Sequence, residues 1–155
     1  MLDPLLKEAD ASAIVVSAIK SGNVPENPAV KKSIIKPSKS PAAVGPYNHA
    51  VRIGDLLFCS GQIPLDPASG QLVEGDIRVQ TGQVLENIRS ILTDQGLSFI
   101  NVVKSTVFLT NLADFPAMNE VYSKSFTCDF PARSTVQVAG LPRGASVEIE
   151  VIAHY

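Results

Sequence analysis

Polar and apolar residues alternate strictly near the end of the chain. In SVEIEVIAHY (146–155), Val147, Ile149 and Val151 are separated by Glu148 and Glu150. A period of two sends the apolar side chains to one face of a strand and both carboxylates to the other. Hydrophobic patterning also predicts strands in VVKSTVFLT (102–110) and STVQVAG (134–140), and two short strands joined at Gly54 and Asp55 in AVRIGDLLFCSG (50–61). The turn-rich stretch IPLDPASGQLVEGD (63–76) follows that pair. Elsewhere the period is helical. Val84, Leu85, Ile88, Ile91 and Leu92 fall on one side of a helix that Asp76 can cap and Gly96 can end. Met118, Val121, Tyr122 and Phe126 predict a second helix in DFPAMNEVYSKSF (114–126).

The start of the chain reads differently. Leu2, Leu6, Ala9, Ala13 and Val16 share a face, with Asp3 and Pro4 suited to a helix start and Gly22 to its stop, which predicts a helix over about the first 21 residues. Pro25, Pro28, Pro37, Pro41 and Pro46 then recur through residues 22–46, predicting a linker without regular structure. The expected organisation is an extension over 1–43 and one domain over 44–155. The domain's order, β-β-α-β-α-β-β, predicts a two-layer α+β fold with two helices on one face of a mixed sheet. Its other face is then bare. Val107, Leu109 and Val138 suggest that this face is largely apolar, and such a face predicts an oligomer.

Composition supports a packed domain: 45% of the 155 residues are hydrophobic and 18% charged. The net charge of −2 and a sequence pI of about 5.6 provide no broad basic field for nucleic acid. Nothing resembles a membrane span of ~20 apolar residues. The first helix carries Asp3, Glu8 and Asp10 and no arginine, unlike a mitochondrial presequence, and its apolar run lacks the basic start of a secretory signal. The expected location is the cytoplasm. Two cysteines, Cys59 and Cys128, and two histidines, His49 and His154, form no spaced ligand set, so no metal is expected. Cys59, inside LLFCSG, reads as a small buried hydrophobe.

The candidate chemistry centres on Arg133 in FPARSTVQVAGLP (130–142). A guanidinium beside an apolar strand needs a partner. Its planar fork suits a carboxylate or phosphate, whether a glutamate on a neighbouring strand or an anionic ligand. The residues alone leave both open.

Five segments together resemble the reactive intermediate deaminases of the RidA (YjgF-like) family, also called the L-PSP endoribonuclease family. They are PAAVGPYNHAV, FCSGQIPLDPASGQLV, VVKSTVFLTNLADFPAMNEVYSKSF, PARSTVQVAGLP and VEIEVIA. The resemblance runs from about Val44 to the end of the chain. It implies a chorismate-mutase-like fold and a homotrimer with sites between subunits. It also implies hydrolysis of 2-imino and 2-enamino acids, such as 2-aminoacrylate, to 2-keto acids and ammonia, without a cofactor. Arg133 would then hold the substrate carboxylate. Glu148 is the family-matched carboxylate that would aim water and move protons, its pKa raised by partial burial; read alone, it is also a plausible structural strand carboxylate. Glu150 is a further candidate for orientation or for pairing with an arginine.

By the same resemblance Tyr47, Ser60, Gly61 and Asn119 would bind substrate. Tyr47 would flank the planar substrate, although a tyrosine after Gly-Pro also serves packing. Ser60 would line the cleft, Gly61 would let the backbone approach a ligand, and Asn119 would meet substrate or support the interface, or be an ordinary polar helix residue. Two positions depart from the family. His49 stands where glutamine is common, and Thr135 where some relatives have cysteine, so thiol chemistry does not transfer to that point. The alternative functions are single-stranded RNA cleavage with inhibition of translation, or non-catalytic ligand sensing or chaperone-like binding. The acidic pI and the absence of tryptophan weaken the RNA reading.

Overall fold

A computed structural model of the protein describes residues 31–37 and 45–155. The helix expected over the first 21 residues lies outside them.

β1 (Ser33–Ile35), β2 (Ala50–Ile53), β3 (Leu56–Gln62), β4 (Val102–Leu109), β5 (Ala132–Gln137) and β6 (Val147–His154) form one mixed sheet in the order β1-β2-β3-β6-β4-β5. Its pairs are antiparallel except β4 with β5. Two helices, α1 (Ile77–Asp94) and α2 (Phe115–Ser125), pack against one face. This is the α+β, two-layer arrangement expected from the pattern.

Local chemistry sets the helix limits. The Asp76 carboxylate accepts hydrogen bonds from the amides of Arg78 and Val79, the cap its position predicts. Gly96, at φ +69°, takes the left-handed turn just beyond the C-cap. Val84, Ile88, Ile91 and Leu92 of α1 are fully buried. They share one core with Met118 of α2, Val107 and Leu109 of β4, and Val147, Ile149 and Val151 of β6. Cys59 is 5% exposed in this core, and burial pushes its thiol up to about 12, as suits a small hydrophobe.

Two expectations need correction. Residues 33–35 are not irregular: β1 pairs with β2 through Ser33–Arg52, Ile34–Val51 and Ile35–Ala50. Its Ser-Ile-Ile run lies between the prolines, so the ladder loses no donor there. The apolar residues assigned to the bare face also change. Val107 and Leu109 point into the helix-covered core, because the buried positions of β4 are odd-numbered from Ser105 onward. The bare face is apolar through other residues: Ile34, Ile53, Phe58 and Val136 are each 37–42% exposed.

β3 breaks its register against β6 between Cys59, opposite Val151, and Gln62, opposite Ile149. Ser60 and Gly61 therefore oppose Glu150 alone, a bulge of the kind that re-aims side chains.

Candidate functional site

The bulge builds the first part of the site. The Ser60 hydroxyl donates to the Asn48 carbonyl at 2.7 Å, and the Ser60 amide donates to the His49 carbonyl at 2.9 Å. These bonds tie β3 to the segment carrying Tyr47. Glu148 then reaches Gly61 from β6. A Cβ at residue 61 would stand 2.7 Å from the Glu148 Cδ and 3.0 Å from its Cγ. A side chain at residue 61 would therefore displace the Glu148 carboxyl group.

Glu148 opens onto a cavity of about 350 Å³, lined also by Tyr47, His49, Ser60, Gly61 and Arg143. Burial raises the Glu148 pKa above the usual glutamate value, and the neighbouring negative charge of Glu150 raises it further. A carboxyl held in this way can exchange protons nearer neutrality than an exposed one. Glu150 lines a separate hollow on the bare face with Lys104 and Thr106, and is not among the residues lining the Glu148 cavity.

Arg133 lies elsewhere. On β5 it pairs with Ser105 of β4, a fully buried residue, so its side chain is on the helix-covered side of the sheet. Its guanidinium lies 4.6 Å from the ring centre of Tyr122 and 5.5 Å from that of Phe115. Burial raises the Tyr122 phenol, while a 2.7 Å hydrogen bond with Ser105 and the Arg133 charge act in the opposite direction. Asn119 falls between Phe115 and Tyr122 at helical spacing, on the stripe of α2 that Arg133 faces. Among the described residues no carboxylate is within ion-pair distance of Arg133. The glutamate partner that the residues alone left open is therefore absent within this part of the chain.

The predicted residues thus form two groups. Tyr47, Ser60, Gly61 and Glu148 come together at the cavity, while Arg133 lies apart from them over the rings of Phe115 and Tyr122 on α2, the helix that also carries Asn119. One protomer does not join them. Glu148 pairs with Phe108, and Phe108 with Val136, three positions beyond Arg133 and on the opposite face. Thr135 lines a shallow apolar hollow with Leu112 and Phe115. Sequence reasoning missed the aromatic bed of Phe115 and Tyr122, although their spacing from Asn119 was available. It also missed Arg143, whose LPRG context reads only as a turn.

Comparison with known proteins agrees with this fold. The profile of the family described as Endoribonuclease L-PSP matches residues 37–155. A goat (Capra hircus) protein named 2-iminobutanoate/2-iminopropanoate deaminase is 50% identical over 122 residues, covering 79% of this chain and 89% of its own. A crystal structure of a Rid-family protein from Yersinia pestis is 47% identical with a TM-score of 0.78, covering 81% of this chain and all of its own. Escherichia coli TdcF, solved with bound serine, is 42% identical with a TM-score of 0.76, covering 79% of this chain and 98% of its own. The chain belongs to the RidA (YjgF-like) family, whose profile bears the name Endoribonuclease L-PSP.

Proposed function

We propose that this protein is a hydrolytic deaminase of reactive 2-imino and 2-enamino acids, such as 2-aminoacrylate, and that it works in the cytoplasm without a cofactor. The observation that carries this reading is the Glu148 carboxyl, half-buried on Gly61 at the edge of a cavity with its pKa raised. The deaminase name of relatives near 50% identity supports it.

The working assembly is a homotrimer in which Arg133 of one copy faces the Glu148 cavity of the next. The bare apolar face favours association, and the division of the site residues into two groups supports a shared site. Arg133 receives the substrate carboxylate through its fork, and Asn119 and Tyr47 hold the planar group beside it. Glu148 takes a proton from water as the water oxygen bonds to the imine carbon and the C=N bond becomes single. It returns that proton to nitrogen, giving a neutral carbinolamine, and then carries the hydroxyl proton to nitrogen as the C–O bond becomes double, the C–N bond breaks, and a 2-keto acid and ammonia leave.

The test times 2-keto acid release while an amino-acid oxidase generates imines, with and without this protein. Faster release that is lost in Arg133→Ala is expected. No acceleration by folded protein overturns the reading, as does efficient RNA cleavage that depends on Arg133.

A further inference from the structure

Arg143 has no part in the chemistry above, yet it lines the same cavity as Glu148. Its backbone is left-handed, at φ 58° and ψ 15°, a conformation that costs a non-glycine residue energy and persists where the surroundings hold it. Its side chain crosses to the 66–71 turn, where Nη1 donates to the Gly70 carbonyl at 2.9 Å. That turn is itself organised by the Asp66 carboxylate, which accepts from the Ser69 amide at 2.7 Å and from the Ala68 amide at 3.1 Å. The guanidinium is thereby held at one wall. A guanidinium has five N–H donors, most of which remain for other acceptors. Among the described residues no carboxylate pairs with it.

The cavity also has room to spare. Its 350 Å³ or so corresponds to about a dozen water-sized volumes of ~30 Å³, roughly twice the heavy atoms of the smallest imino acids. Ile63, Leu65 and Pro142 supply apolar wall, and Arg143 supplies fixed positive charge.

We propose that Arg143 is a specificity residue that favours imino acids whose side chain ends in a second carboxylate. This rests on the imine-hydrolase reading. The aliphatic part of such a side chain lies along the apolar wall, and its carboxylate meets the guanidinium. Arg133 remains committed to the carboxylate beside the reacting carbon.

The experiment compares kcat/KM for imines generated in situ from alanine and from glutamate, using oxidases suited to each, in wild type and in Arg143→Asn and Arg143→Lys. Asparagine tolerates the left-handed backbone, so folding is preserved. The glutamate-to-alanine selectivity ratio should fall about ten- to hundredfold in Arg143→Asn, the loss expected for a charge-assisted hydrogen bond. Arg143→Lys should recover part of it. A ratio unchanged in Arg143→Asn, or equal losses on both imines, overturns the proposal and leaves Arg143 as a clamp on Gly70. Wild-type protein that hydrolyses neither imine overturns the underlying function instead.

Discussion

The carboxyl group of Glu148 occupies the space that a side chain on Gly61 would need, with its Cδ 2.7 Å from an ideal Cβ. Gly61→Ala should therefore displace Glu148 while leaving the strand intact, since residue 61 is not at a positive φ. The displaced group can swing toward the cavity, so stability should fall by only about 1–3 kcal/mol. Imine hydrolysis should fall about a hundredfold, the scale expected for a catalytic group moved by an ångström. Thermal unfolding and steady-state kinetics on the same preparation check both parts; near-normal turnover would show that the Glu148 position is not critical.

The raised Glu148 pKa has a defined sign. The folded protein favours the protonated carboxyl relative to the unfolded chain, so ionising Glu148 costs stability. That cost appears as pH rises from the ordinary glutamate value through the raised one. Glu148→Gln removes it, so the variant should gain stability relative to wild type across that window. Denaturant titrations at a series of pH values measure the difference, in which titrations common to both proteins cancel. Glu150→Gln should weaken the trend, because the Glu150 charge is the second cause of the shift.

β1 makes a prediction about truncation. Removing residues 1–30 leaves β1 intact, whereas removing 1–36 exposes the edge of β2 and strips Ile35 from the core. The longer deletion should cost about 1–3 kcal/mol, the scale of burying one isoleucine. Both proteins should retain hydrolysis at low temperature, because the proposed site residues lie beyond residue 46. Comparing their melting temperatures tests this; equal values would mean that β1 contributes nothing.

Much of this fold was legible in the residues. The alternation around Glu148 and Glu150 and the Asp76 cap reflect local geometry, which a sequence records directly. β1 was not legible, because a three-residue strand among prolines has too few positions to show a period. The face of Val107 was misjudged for a related reason: alternation separates two faces but does not say which one the helices cover. At the site, Glu148 and Arg133 were found as residues, but their separation on opposite faces of the sheet follows from the pairing register of β6, β4 and β5. The Arg143 bond to Gly70 joins positions 73 apart, beyond any local signal.

That separation gives the sharpest test of the proposed assembly. Arg133→Ala and Glu148→Gln should each be nearly inactive, and Arg133→Lys should lose about ten- to hundredfold, since lysine keeps the charge without the fork. If each site takes Arg133 from one copy and Glu148 from the next, dissociating and reassembling an equal mixture of the alanine and glutamine variants restores some complete sites. Random mixing in a cyclic trimer makes about a quarter of the sites carry both native residues. Imine hydrolysis should recover to about that fraction of wild type, with native mass spectrometry confirming that mixed assemblies formed. A mixed assembly no more active than its parents would place Arg133 and Glu148 in separate roles and remove the shared site.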